Sequence, residues 1–150
     1  MKPARRTALY LMVAFAIIAF IGFADSLYLT ASHYMGDVPT CTIVEGCDEV
    51  AISEYSTIAG VPVALLGNLF YLLMMISAFV WFDMRKNVVI KVLPYVTVPA
   101  FIFSVWLVYV MFYIIEALCI YCLISAGTTT LLMILSLILL KQINVNKSMA

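Results

Sequence analysis

The chain has 150 residues, 66% of them hydrophobic and only 11% charged. A soluble domain of this size needs far more polar surface, so lipid is the solvent for most of it. Eight basic and eight acidic residues cancel, and with no basic face the composition argues against a nucleic-acid partner.

Taken in chain order, the first apolar stretch runs roughly from Leu9 to Thr30. More than 20 residues of helix span about 33 Å, enough for a bilayer core of about 30 Å. Arg5 and Arg6 give it a basic start, but the run is long for a signal core. No convincing small-residue cleavage site precedes Asp25. An uncleaved first helix is the expectation. Asp25 lies near its far end, where bonding to nearby loop backbone is favoured over a role in managing protons. His33, the sole histidine, follows as an interfacial residue rather than a catalyst.

Residues from about Ala31 to Gly60 form the one long polar segment. It is too short for a separate domain and too long for a turn, so it is expected to fold back on the helices as a lid. Within it, the run from Cys47 to Tyr55 mixes acidic and apolar residues in a way that suits a short surface helix. Gly60 and Pro62 lead into a second span at Val61–Phe82, with Pro62 acceptable in a first turn.

The third and fourth spans are expected at Val92–Ile115 and Leu118–Leu140, joined in a tight hairpin through Glu116 and Ala117. Pro94 and Pro99 predict a bend near the start of the third. Gly67 and Gly127 suggest close approaches between helices. Tyr28, Tyr55, Tyr71, Tyr113 and Tyr121 suit an interfacial belt, unless some turn inward. No ten-residue alternation of a membrane barrel is present. The fold class is therefore an all-α membrane bundle of four helices, read as a single domain over residues 1–150.

Charge sets the orientation. Basic residues occur only at the N-terminal flank (Lys2, Arg5, Arg6), between the second and third spans (Arg85, Lys86, Lys91) and in the tail (Lys141, Lys147). The lid carries Asp37, Glu45, Asp48, Glu49 and Glu54 without Lys or Arg. By the positive-inside rule both termini are cytoplasmic and the lid lies outside.

The four cysteines are the informative feature: Cys41 and Cys47 in the lid, and Cys119 and Cys122 as a C-x-x-C at the start of the fourth span. Topology brings both pairs to one membrane face, the oxidising one. Cysteines three apart on a helix share a face. One in the first turn sees the positive end of the dipole, which stabilises the thiolate that attacks disulfides. Glu116 opposes this in part. Two purely structural disulfides, as in a small transporter or assembly factor, are the plainer alternative. A zinc knuckle fits poorly with one pair at a membrane helix start, and no metal is expected. A c-type haem is excluded because Leu123 follows Cys122, and a bis-histidine haem by the single histidine. A thioredoxin domain would need a βαβ pattern, which is absent.

Across nearly its whole length the chain resembles the vitamin K epoxide reductase family, including its bacterial and archaeal members. The resemblance rests on Asp25-Ser26-Leu27-Tyr28-Leu29-Thr30 with His33-Tyr34, then Cys41 and Gly46-Cys47-Asp48, then Ser53. It continues with Gly60-Val61-Pro62-Val63-Ala64-Leu65-Leu66-Gly67, Phe70-Tyr71 and Cys119-Ile120-Tyr121-Cys122. The wide cysteine pair precedes the C-x-x-C, whereas other quinone-dependent disulfide oxidases place them in the reverse order.

The resemblance implies a relay. Cys41 exchanges with a thioredoxin-like extracytoplasmic partner, electrons pass to Cys47 and then Cys119, and Cys122 faces a quinone (ubiquinone, menaquinone or related) in the bundle and joins it transiently. Ser53 helps close the lid. The implied quinone-facing positions are Ser53, Val63, Ala64 and Ala126. Animal members hold their naphthoquinone with an Asn and a Tyr that align with Val63 and Ala126, so a respiratory quinone and a prokaryotic plasma membrane are expected here. A vitamin K quinone or epoxide reductase running the same relay is the alternative. Many prokaryotic relatives carry a fused thioredoxin domain; this sequence ends soon after Lys141, so a separate partner is expected.

Overall fold

Four apolar runs become four long helices because lipid offers the backbone no hydrogen-bond partner, and a helix satisfies its own. The structure, a computed structural model, describes residues 3–36 and 47–148, with side chains over 6–36 and 49–145. The helices that carry the spans are α1 (Pro3–Met35), α3 (Val63–Met84), α4 (Asn87–Val110) and α5 (Ile120–Ser148). Each holds a stretch long and apolar enough to cross a membrane, and the chain is a four-helix membrane bundle, as expected. Between α1 and α3 lie α2 (Cys47–Ile52), a 3-10 turn at Glu54–Ser56, and a two-stranded hairpin. Its strands, β1 (Thr57–Ile58) and β2 (Val61–Pro62), pair antiparallel. Ala59 and Gly60 link them with φ of 52° and 81°, as a two-residue hairpin turn requires.

The helix ends differ from expectation. α1 continues to Met35, so the lid begins at Gly36 rather than Ala31. α4 begins at Asn87, five residues before the expected Val92, leaving only Arg85 and Lys86 as the basic turn between α3 and α4. Arg85 takes a left-handed φ of 51°, donates its N–H to Trp81 O, and lays its guanidinium 4.9 Å from the Trp81 ring centre. Pro94 and Pro99 are carried inside α4. After Val110 the backbone widens into one π-helical turn, Met111–Ile115, and Glu116 (φ 55°) then reverses the chain. The connection to α5 occupies 116–119, twice the length expected.

Each helix turns one stripe inward at helical spacing. From α1 come Met12, Phe15, Ala19, Gly22 and Ser26; from α3, Asn68, Tyr71, Met74, Ala78 and Trp81; from α5, Thr129, Leu132, Ser136 and Leu139. The opposite faces expose Phe79, Tyr95 and Ile102, which suits lipid contact. Some of the polar groups inside are bonded across helices. Thr97 of α4 meets Ser136 of α5 at 2.9 Å, and the Tyr71 hydroxyl reaches three hydroxyls of α5.

Of the two glycines expected at close approaches, Gly67 of α3 faces Ser26 of α1 with ordinary room for a methyl group, and Gly127 faces open space. The tight position is Gly22, where a Cβ would enter the Tyr71 ring. Gly22→Ala is therefore expected to destabilise the bundle by about 1–3 kcal/mol through overpacking. Gly127→Ala is expected to be neutral or stabilising by up to ~1 kcal/mol, since helix propensity favours alanine. Thermal unfolding in detergent micelles distinguishes the two. Equal midpoints for both variants would contradict this packing.

Candidate active site

The α4–α5 connection brings the C-x-x-C to the same end of the bundle as the lid. Leu123 N–H donates to Cys119 O at 3.1 Å, so Cys119 is the N-cap of α5 rather than a residue of its first turn. Side chains at an N-cap normally offer an oxygen to the third amide of the helix. Here a sulfur does so: Cys122 N–H points at Cys119 Sγ at 3.3 Å. The Cys122 thiol donates to the same sulfur at 2.8 Å. Both are free thiols, Cys119 buried and Cys122 half-buried.

This arrangement favours a thiolate on Cys119. The Cys122 thiol hydrogen bond, helped by the backbone N–H groups of Cys122 and Tyr121, holds Cys119 below the ordinary thiol range. Burial and the nearby charge of Asp25 act in the opposite direction. A lowered thiol pKa at a helix start is the usual mark of a reactive cysteine.

The π-helical turn supplies the rest of the setting. Met111 is buried against Cys119, and its Sδ accepts the Cys119 N–H at 3.4 Å. Val50 of α2 packs on the same cluster. Hence α2, which opens at Cys47, lies over the C-x-x-C. Ser53 ends that helix by donating its hydroxyl to Val50 O at 2.8 Å. Cys41 lies outside the described residues, as does the Cys47 side chain.

Below this lid is a cavity of about 710 Å³ reached by all four long helices, within the range of small-molecule sites. Cys119 and Cys122 line it, and Ser125 and Thr129 continue their stripe down α5. Ser53, Val63 and Ala64 also line it, as does His33, which is exposed at its edge. Ala126 is not among the lining residues. The walls are mainly apolar. Tyr71 is the main polar group: of the two placements left open by the sequence, interfacial belt or inward, it takes the inward one and is buried. Its hydroxyl lies 2.8 Å from Ser125 O, 3.1 Å from Ser125 Oγ, 2.7 Å from Thr128 Oγ1 and 2.9 Å from Thr129 Oγ1. The signal that could have located it is its spacing of three and seven residues from Asn68 and Ala78 on one α3 stripe.

Asp25 also departs from expectation. Its Oδ2 is buried without a hydrogen-bond partner, and among the described residues no lid backbone bonds to it. No group of three or more His, Cys, Asp or Glu suited to a metal occurs among the described residues.

The two cysteines should react unequally. Cys119 is expected to be alkylated faster than Cys122 near neutral pH in the reduced protein. Cys122→Ala removes the largest group lowering the Cys119 pKa, so the Cys119 alkylation profile should move to higher pH; Cys122→Ser, which keeps a donor, should move it less. Rates against pH, with the labelled residue located by mass spectrometry, test this. Identical profiles for both variants and wild type would refute it.

The model for the Vitamin K epoxide reductase family matches residues 13–137. No curated protein matches the chain.

Proposed function

The chain belongs to the vitamin K epoxide reductase family and is a multi-pass membrane oxidoreductase of that kind, and from that premise we propose that it oxidises the thiols of a thioredoxin-like partner and passes the electrons to a membrane quinone. The single observation that carries this reading is the Cys119–Cys122 pair, two free thiols 2.8 Å apart above a largely apolar cavity and beneath the helix that begins at Cys47.

The chemistry follows from thiol–disulfide exchange. A partner dithiol reduces a Cys41–Cys47 disulfide by attack at Cys41. Cys47 then attacks the Cys119–Cys122 disulfide at Cys119, and Cys122 leaves. When Cys41 resolves the resulting Cys47–Cys119 bond, Cys119 is the leaving group. A sulfur already stabilised by two N–H groups and a thiol leaves readily, because low-pKa thiols are better leaving groups. The quinone, when bound, supplies a two-electron, two-proton acceptor. Val63, Ala64 and Ser53 would line its ring site, and Tyr71 would present the polar edge. An apolar cavity with one such network fits a flat, weakly polar ring better than a charged substrate.

Orientation belongs to the same proposal. Arg6, Arg85, Lys86, Lys91 and Lys141 all lie at the end of the bundle away from Cys119, which supports a cytoplasmic basic end and an extracytoplasmic lid in a prokaryotic plasma membrane. The whole chain then acts as one unit.

Purified protein given a reduced thioredoxin-like donor should reduce a soluble quinone analogue. Cys119→Ala and Cys122→Ala should lower turnover to the uncatalysed background, and Cys47→Ser should trap the donor as a mixed disulfide on Cys41. Full activity in either C-x-x-C variant would end the relay reading. A protein whose disulfides are only structural would lose thermal stability in these variants and have no turnover to lose.

A further inference from the structure

Proton counting in the Tyr71 cluster leaves one donor without a settled partner. A phenol oxygen carries one proton and accepts one hydrogen bond well and a second poorly, because one lone pair is conjugated with the ring. Four atoms of α5 lie within bonding distance of the Tyr71 oxygen: Ser125 O at 2.8 Å, Ser125 Oγ at 3.1 Å, Thr128 Oγ1 at 2.7 Å and Thr129 Oγ1 at 2.9 Å. The Thr128 hydroxyl spends its own proton on Ile124 O and Ser125 O, at 3.0 and 2.9 Å. Ser125 O and Thr128 Oγ1 therefore take the Tyr71 proton between them. The hydroxyls of Ser125 and Thr129 have no other acceptor among the described residues, so both aim their protons at one phenol oxygen.

Distance and exposure decide which of the two is displaceable. The Ser125 bond is the longer, and Ser125 is half-buried whereas Thr129 is only 5% exposed. Both line the cavity. Thr129 keeps Tyr71, and the Ser125 proton is the one that a guest in the cavity can draw away. Ser26 and Ser53 also line the cavity, but each spends its proton on backbone of its own helix, at Phe23 O and Val50 O. Ser125 stands one turn beyond Cys122 on the same face of α5, about 5–6 Å away between Cβ atoms. A flat ring beside the Cys122 sulfur thus has its edge within reach of that hydroxyl.

We propose that Ser125 is the contact for a ring oxygen of the quinone, and that its hydroxyl turns with the redox state of the ring. Toward the oxidised ring, Ser125 donates to a carbonyl and leaves the Tyr71 oxygen to Thr129. Toward the reduced ring, it turns its proton back to Tyr71 and accepts the ring's O–H on a lone pair. A serine hydroxyl can do both, having one proton, two lone pairs and a free rotor. No heavy atom has to move. Ser125 neither gains nor loses a proton: the two electrons and two protons that convert the ring come from the cysteine thiols. This deepens the quinone reading and rests on it.

The test uses the full-length protein in detergent and three probes. They are a naphthoquinone methylated at both positions open to thiol addition, its hydroquinone, and the corresponding methylated naphthalene, which has no oxygen. Quenching of tryptophan fluorescence gives the quinone affinity with the cysteines oxidised, and the hydroquinone affinity with them reduced under argon. The naphthalene is measured as a competitor. Ser125→Ala should weaken binding of both oxygen-bearing rings about 5–10-fold, the scale of one neutral hydrogen bond, and leave the naphthalene unchanged. Ser125→Thr, which keeps the hydroxyl, should restore most of the loss. In wild type, an infrared carbonyl band of the bound quinone should lie below its position in empty micelles; in Ser125→Ala it should return there.

The naphthalene reports packing alone, so the ratio of quinone to naphthalene affinity isolates the hydrogen bond. A wild-type ratio in Ser125→Ala would overturn the proposal. So would a ratio that falls equally in Thr129→Val, or one that falls instead in Ser104→Ala, which alters another cavity-lining hydroxyl on α4. Loss for the oxidised ring alone would make Ser125 a fixed donor and overturn the turning hydroxyl. An unshifted carbonyl band in wild type would overturn the contact without any variant, which matters if Ser125→Ala fails to fold. If wild type binds the quinone no better than the naphthalene, the quinone reading itself fails. If wild type and Ser125→Ala prefer the quinone equally, the Ser125 assignment alone fails.

Discussion

A bilayer gives polar groups nothing to bind, so a hydroxyl, thiol or amide inside the bundle gains by finding its partner there, although Asn68 Nδ2 and Trp81 Nε1 are buried without one. In this protein the constraint converges on Tyr71. Its ring fills the space left by Gly22 on α1, and its hydroxyl gathers Ser125, Thr128 and Thr129 on α5. Three helices are thus tied at one level, just below Cys122. Buried networks of this kind act as a unit. The cavity keeps its shape because the polar groups around it have nowhere else to turn.

The same constraint explains the thiol cap. A helix that starts inside a membrane protein must satisfy its first amides, and an Asn, Asp or Ser is the usual choice. Cys119 does this with sulfur, so one side chain both ends the helix and carries redox chemistry. The π-helical turn before it is part of the arrangement. By widening the backbone at Met111–Ile115 it places the Met111 sulfur on the Cys119 amide. Single π turns are recurrent at functional sites for this kind of re-aiming.

How much of this was legible in the sequence depends on the kind of signal. The four spans follow from composition and length, because apolar runs of more than 20 residues have few other fates. Their ends do not follow, since Asn87–Lys91, bounded by a polar residue at each end, and the polar Lys141–Ser148 stay helical beyond the apolar run. Faces are harder still. In a soluble helix the buried stripe is the apolar one, whereas in lipid both faces are apolar and the contrast disappears. That is why Tyr71 could be assigned to a belt, and why Gly67 and Gly127 were read as packing points and Gly22 was not. The C-x-x-C was readable because its meaning lies in spacing and chemistry rather than in contrast with its surroundings. The length of the turn before it was not, and that length turns Cys119 from a first-turn residue into a cap.

One turn of helix also separates the two proposed tasks of the pair. Cys119 sits outside the helix, against Val50 of the lid and Met111, where a lid cysteine can approach and where backbone amides stabilise negative charge. Cys122 sits inside, on the stripe that Ser125 and Thr129 carry down the cavity wall. A thiol there is screened from large partners but open to anything small and apolar in the cavity. Exchange with a lid cysteine favours a good leaving thiolate packed beneath the lid, and electron transfer to a membrane-soluble ring favours a sulfur in apolar surroundings. The direction of α5, with its amino terminus at the lid, satisfies both requirements with a single pair of cysteines.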